Sequence, residues 1–346
     1  VPVTLSIDVM SGDHGLSVTV PAALSCLEQI PALQVVLVGD QPLIEAELRR
    51  LKAAKSDPRR RIHHASEVVG MDEAPTKALR NKKDSSMRVA IDLVKDGAAQ
   101  AMVSAGNTGA LMATAKFVLK TLPGIDRPAI VSAIPSVSGH VHMLDLGANA
   151  ECTSEQLFQF AVMGSALITA MQGKPQPRVA LLNIGSEEIK GNDVIKGAAA
   201  LLQASSLNYI GFVEGDGIFL SDVDLVVCDG FVGNVALKTG EGVAKMIRQF
   251  LKDEFTASFL NKLAAVAAMP ALKALGKRID PRHYNGASFL GLSCTVVKSH
   301  GGADAVGFAN AIRVGVREVE LDVPRRISVL LGQTLQTRSE PIAPTA

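Results

Sequence analysis

The sequence predicts an α/β protein of three layers, α/β/α, built around a largely parallel sheet. Two observations carry that prediction. Short apolar runs (VTLSIDVM, QVVLVGD, QAMVSAG, AIVSAIP, VHMLDLG, RVALLNIG, LNYIGFV, VDLVVCDG, CTVVKSHG) alternate with helical periodicity such as SSMRVAIDLVKDGA and SEQLFQFAVMGSALITAM. Continuous apolar strands between amphipathic helices require a sheet covered on both faces. The second observation is size and composition: 346 residues, 47% hydrophobic but only 4% aromatic, make a large aliphatic core. No fixed-period repeat or low-complexity linker divides it, so residues 1–335 read as one domain. Two segments depart from the pattern. Residues 241–283 read as a helical hairpin extension, and 336–346 read as a disordered tail.

Charge excludes some partners. Lys plus Arg number 35 against 34 for Asp plus Glu, so a net +1 gives no global attraction to nucleic acid or anionic lipid. Cys26, Cys152, Cys228 and Cys294 are widely spaced in apolar runs, which predicts reduced, buried thiols. With no signal-peptide pattern and no apolar run of transmembrane length, a cytoplasmic protein is expected. Walker, Rossmann and nucleophile-elbow motifs are absent, which argues against an NTPase, a dinucleotide enzyme and an α/β-hydrolase. His63-His64 and the HxH at 140–142 lack a third ligand at a recognised spacing, so neither a metal nor a cofactor is expected.

Five strands end in polar, glycine-bearing turns that lead into helices: SAGNTG (104–109), LDLGANAE (144–151), NIGSEEIKGND (183–193), CDGFVGN (228–234) and KSHGGAD (298–304). In an open parallel sheet, turns after the carboxyl ends of strands share one rim, so these five are expected to converge on one crevice. Free helix-terminal N–H groups and close backbone approach at glycine would make an anion cradle there. Its candidate residues are Ser104, Gly106, Asn107, Thr108 and Gly109, with Asp145, Asn149, Asn192, Asp229, Lys298, Ser299 and His300. The first strand adds SIDVMSGDHG, with Asp8, Gly12, Asp13 and His14; the histidine is open between base, donor and plain turn residue. Ser86 and Arg88, in a lysine-rich approach to an apolar helix, add local positive charge.

The strings KKDSSMRVAIDLVK, VSAGNTGALMATAK, LDLGANAEC, PRVALLNIGSEEIKGND, VVCDGFVGNVALKTGEG and YNGASFLGL…TVVKSHGGADAVGFANAIR resemble the bacterial phosphate acyltransferases of phospholipid synthesis, PlsX type. They run in order from about residue 4 to about 330. The resemblance implies the fold of phosphate acetyltransferases and isopropylmalate dehydrogenases. It also implies a homodimer with peripheral membrane association. The implied activity moves a fatty acyl group from acyl carrier protein to inorganic phosphate, and the acyl phosphate feeds a membrane glycerol-3-phosphate acyltransferase. By motif, Lys190 and Asn234 fall where the family's active-site lysine and asparagine lie. Two positions depart from the pattern: Ser11 stands where glycine is usual and Glu151 where aspartate is usual. The first puts the tightness of the opening turn in question.

The chemistry fits that inventory. Phosphate near pH 7 is already largely ionised and a thiol leaves readily as thiolate, so no proton-relay triad is needed. What the site must do is bring two anionic reactants together and stabilise an oxyanion. Asn107 and Thr108, with Ser299 or His300, are assigned to phosphate, and Lys190 and Asn234 to charge stabilisation. A phosphate acyltransferase preferring short acyl-CoA, a related dehydrogenase and a non-catalytic membrane scaffold are the rival readings. In the hairpin, Phe259, Leu260, Leu263, Val266, Met269 and Leu272 recur at helical spacing around a break expected at Pro270, reading as core, dimer contact or lipid anchor. Basic stretches at 49–64 and 277–283 are candidates for docking an acidic carrier.

Overall fold

The computed structural model describes residues 2–278 and 280–339. Strands β1 (Val3–Asp8), β2 (Leu33–Gly39), β3 (Arg60–His64) and β4 (Ala101–Ser104) alternate with helices α1 (Leu16–Gln29), α2 (Gln41–Arg50), α3 (Pro75–Asn81) and α4 (Ser86–Lys95), and α5 (Thr108–Leu119) follows. A hairpin of β5 (Ala129–Ser136) and β6 (Gly139–Leu144) opens the second half. It continues through α6 (Ser154–Gln172), β7 (Val179–Leu182), α7 (Asp193–Gln203), β8 (Tyr209–Val213), α8 (Gly217–Leu220) and β9 (Leu225–Val227). Two long helices, α9 (Gly230–Thr256) and α10 (Phe259–Arg278), precede β10 (Ala287–Leu290), β11 (Thr295–Lys298), α11 (Ala305–Glu320) and α12 (Val323–Ser339).

The strands form one sheet in the order β3-β2-β1-β4-β11-β10-β5-β6-β9-β7-β8. Seven of its ten pairings are parallel. The three antiparallel ones, β11 with β10, β10 with β5 and β5 with β6, lie together at the centre. They divide the sheet into two parallel blocks of opposite sense. That corrects the expectation of a shared rim: β6, β7 and β9 run against β1, β4 and β11, so their carboxyl-terminal turns leave at the other end of the sheet.

Side-chain alternation sorts the core by face. Val36, Val38, Met102, Val296, Phe289, Ile130, Met143 and Val226 build one continuous front-face core under α4, α5 and α8, with Ala236 and Leu237 of α9 packed against it. The back face holds two cores, one under α1 and α11 and one around α6, α7 and α12. Helix α6 is apolar nearly all round, as a helix buried on most sides must be, and a capping box of Thr153 and Gln156 starts it.

The expected hairpin begins earlier than residue 241, because α9 starts at Gly230. Its turn lies at Ala257–Ser258, and Pro270 sits inside α10 rather than breaking it. The expected tail starts within α12, which stays helical to Ser339; residues 340–346 lie outside the described residues.

Candidate functional site

The last residues of β1, β4 and β11 are in register: Asp8 pairs with Ser104, and Ser104 with Lys298. All three share the front face, so their side chains form a row across the sheet at one rim. Ser104 Oγ donates to Asp8 Oδ2 at 2.7 Å and accepts from Gly106 N at 3.0 Å. Burial pushes the Asp8 carboxyl up from its ordinary value, and the hydroxyls around it offset part of that rise. Lys298 is only 9% exposed. Its ammonium donates to the carbonyls of Ala105 and Ser299, and among the described residues no carboxylate lies within ion-pair distance. Burial pulls its pKa down to about 8, Asp13 opposes that, and Lys238 adds to it.

The surrounding turns are locked to this row. Ser11, the departure from the family pattern, keeps a backbone that ordinary residues adopt; the positive φ of +83° falls on Gly12. The Ser11 hydroxyl donates to Asp8 O at 2.7 Å and accepts from Ala105 N at 2.9 Å, so it ties the β1 and β4 turns together. A Cβ at Gly12 would stand 2.9 Å from Gly301 O, which only glycine avoids. Asp13 N donates to Gly301 O, and Ser299 N to Ser104 O. Asn285 organises the β11 turn: its amide donates to Ser299 Oγ and Gly307 O, and its Oδ1 accepts from His300 N. His300 Nδ1 accepts from Gly302 N; the protein around the ring and the Lys238 charge hold its pKa below the ordinary value.

Helix α9 joins the second block to this rim. It starts against the β6 turn, where a Cβ at Gly233 would fall 1.9 Å from Asp145 O. Asn234, one turn into the helix, lies beside Gly147. Lys238 follows four residues later, paired with Glu241 at 2.9 Å, and Lys238 and Lys245 both act electrostatically on His300. Lys238, Lys245, Asn285 and Ser11 were missed as site residues. The signal for Lys238 was present, since Asn234 and Lys238 share a helix face at i, i+4, but only if the helix begins at 230.

Other expected ligands are used internally. Asn107 caps α5 by accepting from Ala110 N, and its amide is bound by Met71 O and Glu73 O. Asn192 and Asp229 cap α7 and α9 in the same way. Asp145 accepts four hydrogen bonds, from Ile130 N, Ala148 N, and the backbone and side chain of Asn149; the Asn149 amide also binds Pro128 O. A carboxylate and an amide so engaged hold a turn rather than a ligand. Ser86, the buried first residue of α4, sets its hydroxyl against the Asp8 carboxyl; Gly106 and Gly109 pack against Met87 and Pro75, and Thr108 is exposed at the rim, as are Asp13 and His14. Arg88 is not at the rim: it pairs with Asp92 at 2.9 Å and lies over the Phe117 ring. Lys190 follows β7, in the block of opposite sense, and its carbonyl accepts from the Asn183 amide. Glu151 is exposed.

No residue of α10 is buried. Phe259 and Leu260 are each 74% exposed; Leu263, Val266 and Met269 are exposed and Leu272 half-buried. Within Phe259–Tyr284 an 18-residue window reaches a mean hydropathy of 1.2, long and apolar enough to cross a membrane by length and composition alone, where no such run was expected. Among the described residues no three metal-ligating side chains cluster. Cys26 and Cys228 are buried thiols, while Cys152 and Cys294 are half-buried.

A family model described as "Fatty acid synthesis protein" matches residues 3–326. The chain is 60% identical over 336 residues to the phosphate acyltransferase of Methylococcus capsulatus, covering 97% of this chain and 99% of that protein. A phosphotransacetylase from Streptococcus pyogenes shares the fold with a TM-score of 0.61 at 18% identity, covering 92% of this chain and 94% of its own. A 4-hydroxythreonine-4-phosphate dehydrogenase from Klebsiella pneumoniae shares it with a TM-score of 0.53 at 13% identity, covering 92% and 100%.

Proposed function

The chain belongs to the fatty acid synthesis protein family, and from that premise we propose that it is a phosphate acyltransferase acting on fatty acyl-[acyl-carrier-protein]. Inorganic phosphate attacks the thioester carbonyl through one oxygen. The new C–O bond forms, the C–S bond breaks, and its electron pair leaves on sulfur as the carrier's thiolate. The products are acyl phosphate and free carrier protein. What supports this reading is the buried Lys298 ammonium, which has no carboxylate within ion-pair distance among the described residues and stands where three backbone turns meet. A desolvated cation of that kind is matched by an anion.

In this reading Lys298 and the rim amides hold phosphate, and Lys238 and His300 face the charge that develops on the carbonyl oxygen. Asn234 lies at the entry from the second block. Lys190, on the turn after β7 in the opposite block, stays a candidate for charge stabilisation beside it. The apolar faces of α9 and α10 fit peripheral membrane contact, or contact with a second copy of the chain, as part of the same reading.

The test is phosphate-dependent loss of thioester from acyl-[acyl-carrier-protein], run beside acetyl-CoA. Lys298→Ala is expected to lower kcat/KM for phosphate about 100-fold. The KM for phosphate should rise as pH climbs past about 8, where the ammonium loses its proton. Lys190→Ala and Asn234→Ala complete the set. No phosphate dependence in the wild type, or full activity in Lys298→Ala, would reject the reading.

A further inference from the structure

Arg88, displaced from the rim, belongs to a second feature. It lines an open cavity of about 540 Å³ with Lys95, Phe117, Lys120, Ser293 and Cys294, between α4 and the C-terminal end of α5. Phe117 is 56% exposed, as three phenylalanines of the α9–α10 arm are, but it stands on the body of the protein. The Arg88 guanidinium lies 5.9 Å and the Lys120 ammonium 5.0 Å from its ring centroid. Arg88 is paired with Asp92, whereas Lys95 and Lys120 have no carboxylate within ion-pair distance among the described residues. Lys120 is also strained, with φ +68° and ψ 169°, a region nearly reserved for glycine. Its backbone is held there by bonds from Lys120 N to Lys116 O and from Ser293 N to Lys120 O. A lysine kept in a glycine conformation at a cavity mouth points to a use for its ammonium.

We infer that this patch is where the acyl carrier protein docks, an acidic helix of the carrier seating its charges on Lys95, Lys120 and Arg88 around a Phe117 anchor. The inference rests on the proposed carrier substrate. An exposed aromatic with the unpaired Lys120 ammonium over its ring, and Lys95 and Arg88 lining the same cavity, has the anatomy of a docking centre for an acidic partner. Distance agrees as well. Helix α5 carries the patch near one end and the Asn107 turn of the rim at the other, 12 residues or about 18 Å apart. That is the span an extended phosphopantetheine arm covers.

The test uses the full chain and labelled holo-carrier protein. Lys95→Glu with Lys120→Glu, and separately Phe117→Ala, should weaken carrier binding in fluorescence anisotropy at least about tenfold at low salt. The same variants should lower kcat/KM on acyl-[acyl-carrier-protein] while leaving acyl-CoA turnover and the phosphate KM unchanged. Arg60→Glu with Arg61→Glu should change neither. Carrier binding unaltered by the patch variants overturns the inference, as does an equal loss on acyl-CoA, which would assign the patch to a small anion. A wild type that binds carrier but shows no phosphate-dependent thioester loss rejects the proposed function alone, because anisotropy still reads docking.

Discussion

The rim of β1, β4 and β11 and the arm of α9 and α10 are opposites in how they are determined. At the rim side chains lock the turns together: Ser11, Asn107 and Asn285 each hold backbone from another turn, and Ser104 holds the Asp8 carboxylate. Along α10 no side chain is buried, and even Pro270 is absorbed within the helix. A proline removes one helical hydrogen bond, which costs less where water reaches the freed carbonyl. Where burial is complete, a single atom decides whether a residue is tolerated. On the arm, tolerance depends on what covers it.

Three substitutions probe that contrast. Gly233→Val, at the rigid root of α9, drives a side chain into Asp145 O and should destabilise the protein by about 4 kcal/mol or more in chemical denaturation. A loss under 1 kcal/mol would mean the root is as pliable as the tip. Glu318→Gln tests the buried body through pH. Burial raises the Glu318 carboxyl to about 7, with only the Ser288 hydroxyl bonded to it among the described residues, so the neutral acid is the form the fold favours. The stability this gives is complete below the unfolded pKa near 4.5 and is lost as pH rises through about 7. The variant should therefore gain on the order of 2 kcal/mol over wild type at pH 8 and nothing at pH 4, as read from urea midpoints. The smallest effect on folding belongs to the arm. Leu263→Glu with Val266→Glu should shift stability by no more than about 0.5 kcal/mol, yet abolish flotation with anionic liposomes. Unchanged flotation would remove the membrane from the arm's role.

The alternation of strands and helices, the capped turns and the hairpin were legible because hydrophobic period and cap chemistry are local. The reversal of sheet sense was not. It depends on β10, β5 and β6 pairing antiparallel at the centre, and β10 and β5 are separated by 150 residues that no local pattern links. Asn107, Asn192 and Asp229 read as ligands because a capping residue and a binding residue look alike in sequence; only the positions of neighbouring amides separate them. Lys298 was found by motif, whereas Lys238 and Lys245 resemble any solvated helix face until α9 is placed across the rim.

The unbroken front-face core has a thermal consequence. Val36 on β2 and Ala180 on β7, near opposite edges of the sheet, belong to one apolar cluster, so neither block can melt without stripping contacts from the other. Heating should give a single calorimetric peak whose van't Hoff and calorimetric enthalpies agree, although the chain is long enough to hold two independent units.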